Sequence, residues 1–174
     1  MANLSALRFS VSVLLALAGS IQVQGAGFTI APKKVTAAPT IDGVLDDDCW
    51  VGVKALTGFT KTTENYPAEV QTRVRMVYDD EALYLAFDCD EPNPSRMQAP
   101  ATSRKGLWRS DPARQNDLVD VFLVPEEGHL YQFAVTSAGL KFDQHRFRGT
   151  KTEPNFTYGK DCPVAVKIGE TNWI

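Results

Sequence analysis

The chain is short of the residues that mark several common kinds of site. Two histidines in 174 residues are too few for a dense imidazole metal site. The three cysteines, Cys49, Cys89 and Cys162, show no CxxC spacing, which argues against a zinc site or a thioredoxin-type motif. A formal net charge of -3 leaves no basic footprint for nucleic acid. No Ser–His or Cys–His arrangement suggests a nucleophilic enzyme. No segment keeps a helical period over ten or more residues, and no stretch recurs at a fixed interval. What remains is ordinary for a globular protein: 44% hydrophobic and 22% charged residues, so disorder is not expected.

The first 26 residues differ from the rest. One arginine in MANLSALR precedes the apolar run FSVSVLLALAGSI, and VQGAG offers small residues for cleavage. That layout predicts a secretory signal peptide over 1–26, with the mature protein starting between Ile21 and Gly27. The run is shorter than the ~20 apolar residues of a membrane span. A membrane anchor is therefore the lesser reading, and the protein is expected to be secreted or periplasmic. In that setting the cysteines are free to form one pair plus one thiol, or to be three small buried side chains.

Residues 27–174 read as one β domain. Leu118–Val124 and Leu130–Val135 are apolar runs joined by Pro125-Glu126-Glu127-Gly128-His129, which predicts a hairpin. Alternation places Val119, Val121 and Leu123 with Tyr131, Phe133 and Val135 on one face, and Asp120 and Phe122 with Gln132, Ala134 and Thr136 on the other. Val70–Tyr78 and Ala82–Cys89, joined by Asp79-Asp80-Glu81, predict a second hairpin with Arg73 and Arg75 facing outward. Those arginines suit either a solvated surface or a ligand face. Phe28–Ile30 reads as a short edge strand, Ala31–Pro39 as a polar linker, and Leu140–Phe147 as a further strand. Val164, Val166 and Ile168 alternate, and the chain stops at Trp173-Ile174, two residues into what looks like a new strand of a longer protein. The expected fold is an all-β antiparallel sandwich of immunoglobulin-like or jelly-roll layers, its C-terminal strands cut short.

Two regions invite chemistry. In 46–50, Asp46 suits an N-cap, Asp47 and Asp48 suit the first turn of a short helix, and Trp50 is placed to enter the core. The same acidic cluster also invites a calcium reading, the weaker of the two. The long loop 90–116 carries four prolines and Trp108 among Lys105, Arg109, Asp111 and Arg114. A Trp rimmed by polar groups can stack on a sugar ring, and it can equally anchor a loop. Asn155-Phe156-Thr157 is a glycosylation sequon in a eukaryotic host.

Three linked stretches carry a family resemblance. Pro39-Thr40-Ile41-Asp42-Gly43-Val44-Leu45-Asp46-Asp47-Asp48-Cys49-Trp50 resembles the opening motif of family 9 carbohydrate-binding modules. VRMVYDDEALYLAFDCD over Val74–Asp90 resembles that family's second signature, and Asp117–Phe122 with Tyr131–Val135 its third. The likeness runs from about Ala37 to Trp173. It implies a sandwich related to the DOMON superfamily with no catalytic activity. Such a module binds oligo- or polysaccharide beside a covalently linked glycoside hydrolase in carbohydrate catabolism, and commonly holds structural calcium. By the resemblance, Trp108 is a stacking residue, Asp120 and Gln132 are sugar contacts, and Asp90 lies near the calcium region. Ala134 stands where the sugar-binding form has Arg, and a second stacking Trp would fall beyond Ile174.

Three other readings are weighed beside it. Related sandwiches hold haem b between Met and His, and the candidate ligands here are Met76, Met97, His129 and His145. A glycosidase would need two carboxyls about 5 Å apart, and Asp117 and Asp120 fall on opposite faces or with Asp117 before the strand. The last is a structural β-sandwich in a larger secreted protein, without sugar affinity.

Overall fold

The computed structural model describes residues 10–18, 20–23, 31–61, 66–103, 116–125, 127–147, 150–151 and 162–174. Among these the chain is all-β, with two short 3-10 turns at Asp48–Trp50 and Pro94–Arg96. The strands in order are β1 (Ser10–Ala18), β2 (Ser20–Val23), β3 (Lys33–Lys34), β4 (Thr72–Tyr78), β5 (Leu83–Asp90), β6 (Leu118–Val124), β7 (His129–Thr136), β8 (Lys141–Phe147), β9 (Thr150–Lys151) and β10 (Asn172–Trp173). They form a six-stranded sheet, β2-β1-β6-β7-β8-β9, and a four-stranded sheet, β10-β5-β4-β3. The expected sandwich is present. Its pairing is antiparallel except where β1 runs parallel to β6 and β3 parallel to β4.

Both expected hairpins form, for the reasons alternation gives. In β4–β5, Asp79 closes the turn: its Oδ1 accepts from the backbone N–H of Glu81 and of Ala82, each at 2.8 Å. In β6–β7, Val121 pairs with Phe133 and Leu123 with Tyr131, so the apolar face predicted for this hairpin is one continuous surface. That surface meets the apolar face of β4. Val74 and Met76, 0% and 1% exposed, pack with Val121, Leu123, Phe133, Leu85 and Phe87. Each such side chain contributes roughly 1.5–3 kcal/mol when fully buried. The two sheets are held mainly by this seam.

A second layer covers the outer face of the smaller sheet. Val77 and Ala86 point away from the seam and are sealed by Val35 and Trp50. Trp50 is 7% exposed, as its position after the acidic cluster predicts. The cap differs from expectation. Asp47 rather than Asp46 precedes the turn and makes no side-chain cap bond. Its carboxylate instead accepts from Thr40, from the backbone N–H at 3.2 Å and the hydroxyl at 3.0 Å, which ties the turn to the preceding 39–43 segment. Gly43 is required where it stands. It has φ 79°, and a Cβ there would lie 2.9 Å from Lys167 Cβ, so a side chain would push the 162–174 segment away.

One further expectation is corrected. The stretch 31–39 is more than a linker, since Lys33 and Lys34 pair with Val77 and Tyr78. Along the alternating Val164–Ile168, Ile168 bridges Trp173 and Lys167 exchanges backbone hydrogen bonds with Ile174. The expected strand at Phe28–Ile30 and the sequon at Asn155 lie outside the described residues.

Candidate functional site

The face of the larger sheet opposite the seam carries a polar row. Because side chains alternate along a strand, Asp120 on β6, Gln132 on β7, and Gln144 and Arg146 on β8 share this face. The register sets Gln132 opposite Gln144 and diagonal to Asp120. Gln132 Nε2 donates to both oxygens of Asp120, at 3.0 and 2.8 Å, and Gln132 Oε1 accepts from Gln144 Nε2. Around the row Leu118, Ala134 and Phe142 are buried, with Ala101 and Leu140 packed on them.

Burial grades along the row. Asp120 is 3% exposed and Gln132 6%, whereas Gln144 and Arg146 are half-buried. Burial pushes the Asp120 carboxyl up to about 7, against the pull of the Gln132 amide and the Val121 backbone N–H, which favour the charged form. A carboxyl that changes charge near neutrality inside a hydrogen-bonded row is the strongest electrostatic feature of this face. The sequence singles out Asp120 and Gln132, and the structure brings them into direct contact. It misses Gln144 and Arg146, whose alternation in KFDQHRF is visible but whose neighbours are fixed only by the β7–β8 register. Trp108 lies outside the described residues.

Asp90 belongs to the other sheet. Arg73 reaches across β4–β5 to bind Asp88 with Nε at 2.9 Å and to bind Asp90 through Nη1 and Nη2. Asn172 Nδ2 donates to Asp88 at 2.9 Å. Burial alone would raise the Asp88 carboxyl, but the hydrogen bonds from Arg73 and Asn172 outweigh it and hold the group below its ordinary range. The outward arginine of β4 is thus a structural tie between strands. Both Asp90 oxygens face the guanidinium, so a Ca2+ there would compete with Arg73. No group of three or more His, Cys, Asp or Glu residues converges among the described residues.

The remaining candidates fall in separate places. His129 Nδ1 and His145 Nε2 share a hydrogen bond at 2.9 Å on the seam side of β7 and β8, with Tyr131 stacked on His145 at 4.4 Å between ring centres. Sequence spacing gave no hint of this pair. Met76 lies in the seam, and Met97 packs on the cluster of Cys89, Val119 and Trp173. Asp117 closes the start of β6, its Oδ2 accepting from Gln98 N–H at 2.6 Å, while Asp120 is inside the strand. The three cysteines are free thiols: Cys89 buried, Cys49 half-buried and Cys162 exposed, so neither of the two arrangements expected of them holds in full.

The molecule is therefore an all-β sandwich whose larger sheet carries a buried carboxyl–amide row running out to an arginine. No protein-family model, curated protein or solved structure matches the chain.

Proposed function

We propose that the protein is a secreted or periplasmic, non-catalytic carbohydrate-binding module, made with a cleaved leader and acting on oligo- or polysaccharide beside a linked hydrolase. Cleavage of the leader would take β1 and β2 with it and leave β6 as an edge of the larger sheet. The observation that carries this reading is the contact between Asp120 and Gln132. These are two residues that the resemblance to family 9 modules marks as sugar contacts, and they lie on one face. A row of amide and carboxyl groups ending in Arg146 offers alternating donors and acceptors, which suits the hydroxyls of a sugar ring. Burial divides the labour. With β1 beside β6, Asp120 and Gln132 are enclosed and position Gln144 and Arg146, which make the contact, with Trp108 as the stacking residue; loss of β1 would open the Asp120 end of the row from the β6 edge. Calcium has no part in this proposal, because Arg73 already holds Asp90.

Titration of the full chain with xylo- and cello-oligosaccharides, followed by calorimetry and Trp fluorescence, tests the reading. Saturable binding that weakens at least tenfold in Arg146→Ala and in Trp108→Ala is the expected result. Silence with every sugar, or binding unchanged in both variants, refutes it. One observation favours a second reading, a structural sandwich without sugar affinity. Ala134, which stands where sugar-binding relatives would carry Arg, is 1% exposed and wedged between Leu118 and Phe142. The same silent titration would establish that reading.

A further inference from the structure

The strands that end the sheets at β3, β9 and β10 have two residues each, and β3 is Lys33–Lys34, a short charged edge of the kind that discourages pairing with another chain. β6 is different. Over Leu118–Val124, LVDVFLV, six of its seven residues are apolar and none is Lys or Pro. Its register with β7 runs without a bulge. In the full chain β1 covers it, Ser10–Ala16 pairing with Leu118–Val124 residue for residue. The edge thus accepts an extended strand along its whole length. Removal of the leader would leave seven residues of backbone unpaired on that side, with nothing in their sequence to turn a second strand away.

We propose that leader removal turns β6 into a homodimer interface, two copies pairing antiparallel through Leu118–Val124 about Val121 to make one eight-stranded sheet. The strand is complementary to itself in that register. Across a two-fold axis normal to the sheet, paired residues must both be odd-numbered or both even-numbered, so that core-facing side chains meet core-facing ones. With Val121 on the axis all seven residues pair. Val119 lies opposite Leu123 of the second copy and Val121 opposite its counterpart, which carries the apolar seam from one copy into the next. On the other face Leu118 lies opposite Val124, and Asp120 opposite Phe122, so the two carboxyls are staggered. Centring on Asp120 would set one carboxyl against the other, and centring on Phe122 would leave Leu118 and Val119 without partners. While the leader is present β1 holds this edge and the precursor stays single.

The inference rests on the reading of 1–26 as a cleaved leader, and it bears on the proposed sugar site. In the joined sheet both polar rows lie on one face, and the two β8 strands are five spacings apart, about 24 Å. Paired Arg146 contacts at that separation favour a polymeric ligand over a short oligosaccharide, because the second contact forms at high effective concentration.

Sedimentation of two forms at pH 8 tests the interface. One is the unprocessed full chain, made without export. The other is the product exported and processed by secreting cells, its N-terminus read by mass spectrometry. The full chain is expected to be a monomer and the processed product a dimer. In the processed form Phe122→Asp should weaken the dimer at least tenfold, because it opposes Asp120 of the second copy at two places, whereas Phe122→Lys, opposite the same carboxyl, should not. A monomeric processed product, a full chain that dimerises equally, or the same response to both substitutions overturns the proposal. Should Phe122→Asp fail to fold, amide hydrogen exchange of the unaltered dimer decides. The β6 amides not bonded to β7 should exchange slowly, and fast exchange there places the contact elsewhere and refutes it. An exported product that keeps residues 1–26 overturns this proposal and the leader reading together, while a processed monomer that binds sugar counts against the dimer alone.

Discussion

Replacing Asp120 by Asn should change how stability depends on pH more than it changes stability itself. In the full chain, with β1 paired along β6, the carboxyl is 3% exposed and raised from 3.8 to about 7, so between those values the folded state holds a proton that the unfolded state releases. Below the unfolded value both states are protonated and the contribution is fully present. Between 3.8 and about 7 the folded state alone is protonated, and stability falls as pH rises. Above about 7 both are charged and the loss is complete. At 1.36 kcal/mol for each tenfold change in proton affinity, the loss across that window is on the order of 4 kcal/mol, with about 2 kcal/mol as a floor once water and the amides relax. Asn keeps the shape and cannot ionise. It also loses one of the two contacts from Gln132, a pH-independent cost of about 1 kcal/mol. Urea unfolding at pH 4, 5, 6, 7 and 8 measures the difference. The variant should start slightly less stable than wild type at pH 4 and end more stable by roughly 1–3 kcal/mol at pH 8. A difference that stays constant across the series would refute the assignment of a buried, proton-binding Asp120.

Two other perturbations probe the smaller sheet and the thiols. Arg73→Met removes the tie between Asp88 and Asp90. With the Arg73 side chain 33% exposed, the cost at pH 7 should be about 1–2 kcal/mol rather than the larger penalty of a fully buried pair. Because the Asp88 carboxyl is held below its ordinary range, this penalty is present above the ordinary value of 3.8 and lost as pH falls through the folded value. Denaturant melts at pH 7 and pH 2.5 check the sign. For the cysteines, a disulfide-exchange reagent should label the exposed Cys162 fast in the native protein. It should spare Cys89, whose thiol burial pushes up to about 12, and reach all three in guanidinium. Fewer than three thiols after unfolding would contradict the free-thiol arrangement.

Period-two alternation makes the core legible in the sequence. Val119, Val121 and Leu123 with Phe133, and Val74 with Met76, are apolar for no local reason except a shared buried face, so pattern and fold coincide there. Where apolar pattern and backbone pairing separate, the sequence misleads. Lys33 and Lys34 have no strand signature because an edge pair exposed to solvent needs none. Val164–Ile168 alternates too, yet among the described residues its pairing is confined to Lys167 and Ile168, opposite Ile174 and Trp173. The site shows the same division. Asp120 and Gln132 are legible because they lie in one hairpin of fixed register. Gln144 and Arg146 join them across β7–β8, and the His129–His145 contact depends on the same pairing, which no local pattern specifies.

Trp173 has a bearing on when the molecule can become itself during synthesis. The two hairpins need only local partners and can close as soon as their turns are made. The cluster of Cys89, Val119 and Trp173 cannot, because Trp173 pairs with Cys89 and Asn172 reaches Asp88 across 84 residues of chain. Closing so long a loop costs entropy that only burial of the indole and of Cys89 can offset. Until then β5 presents a free edge and the seam is open at that end. Whatever guards a nascent chain against mispairing is therefore needed until Trp173 arrives.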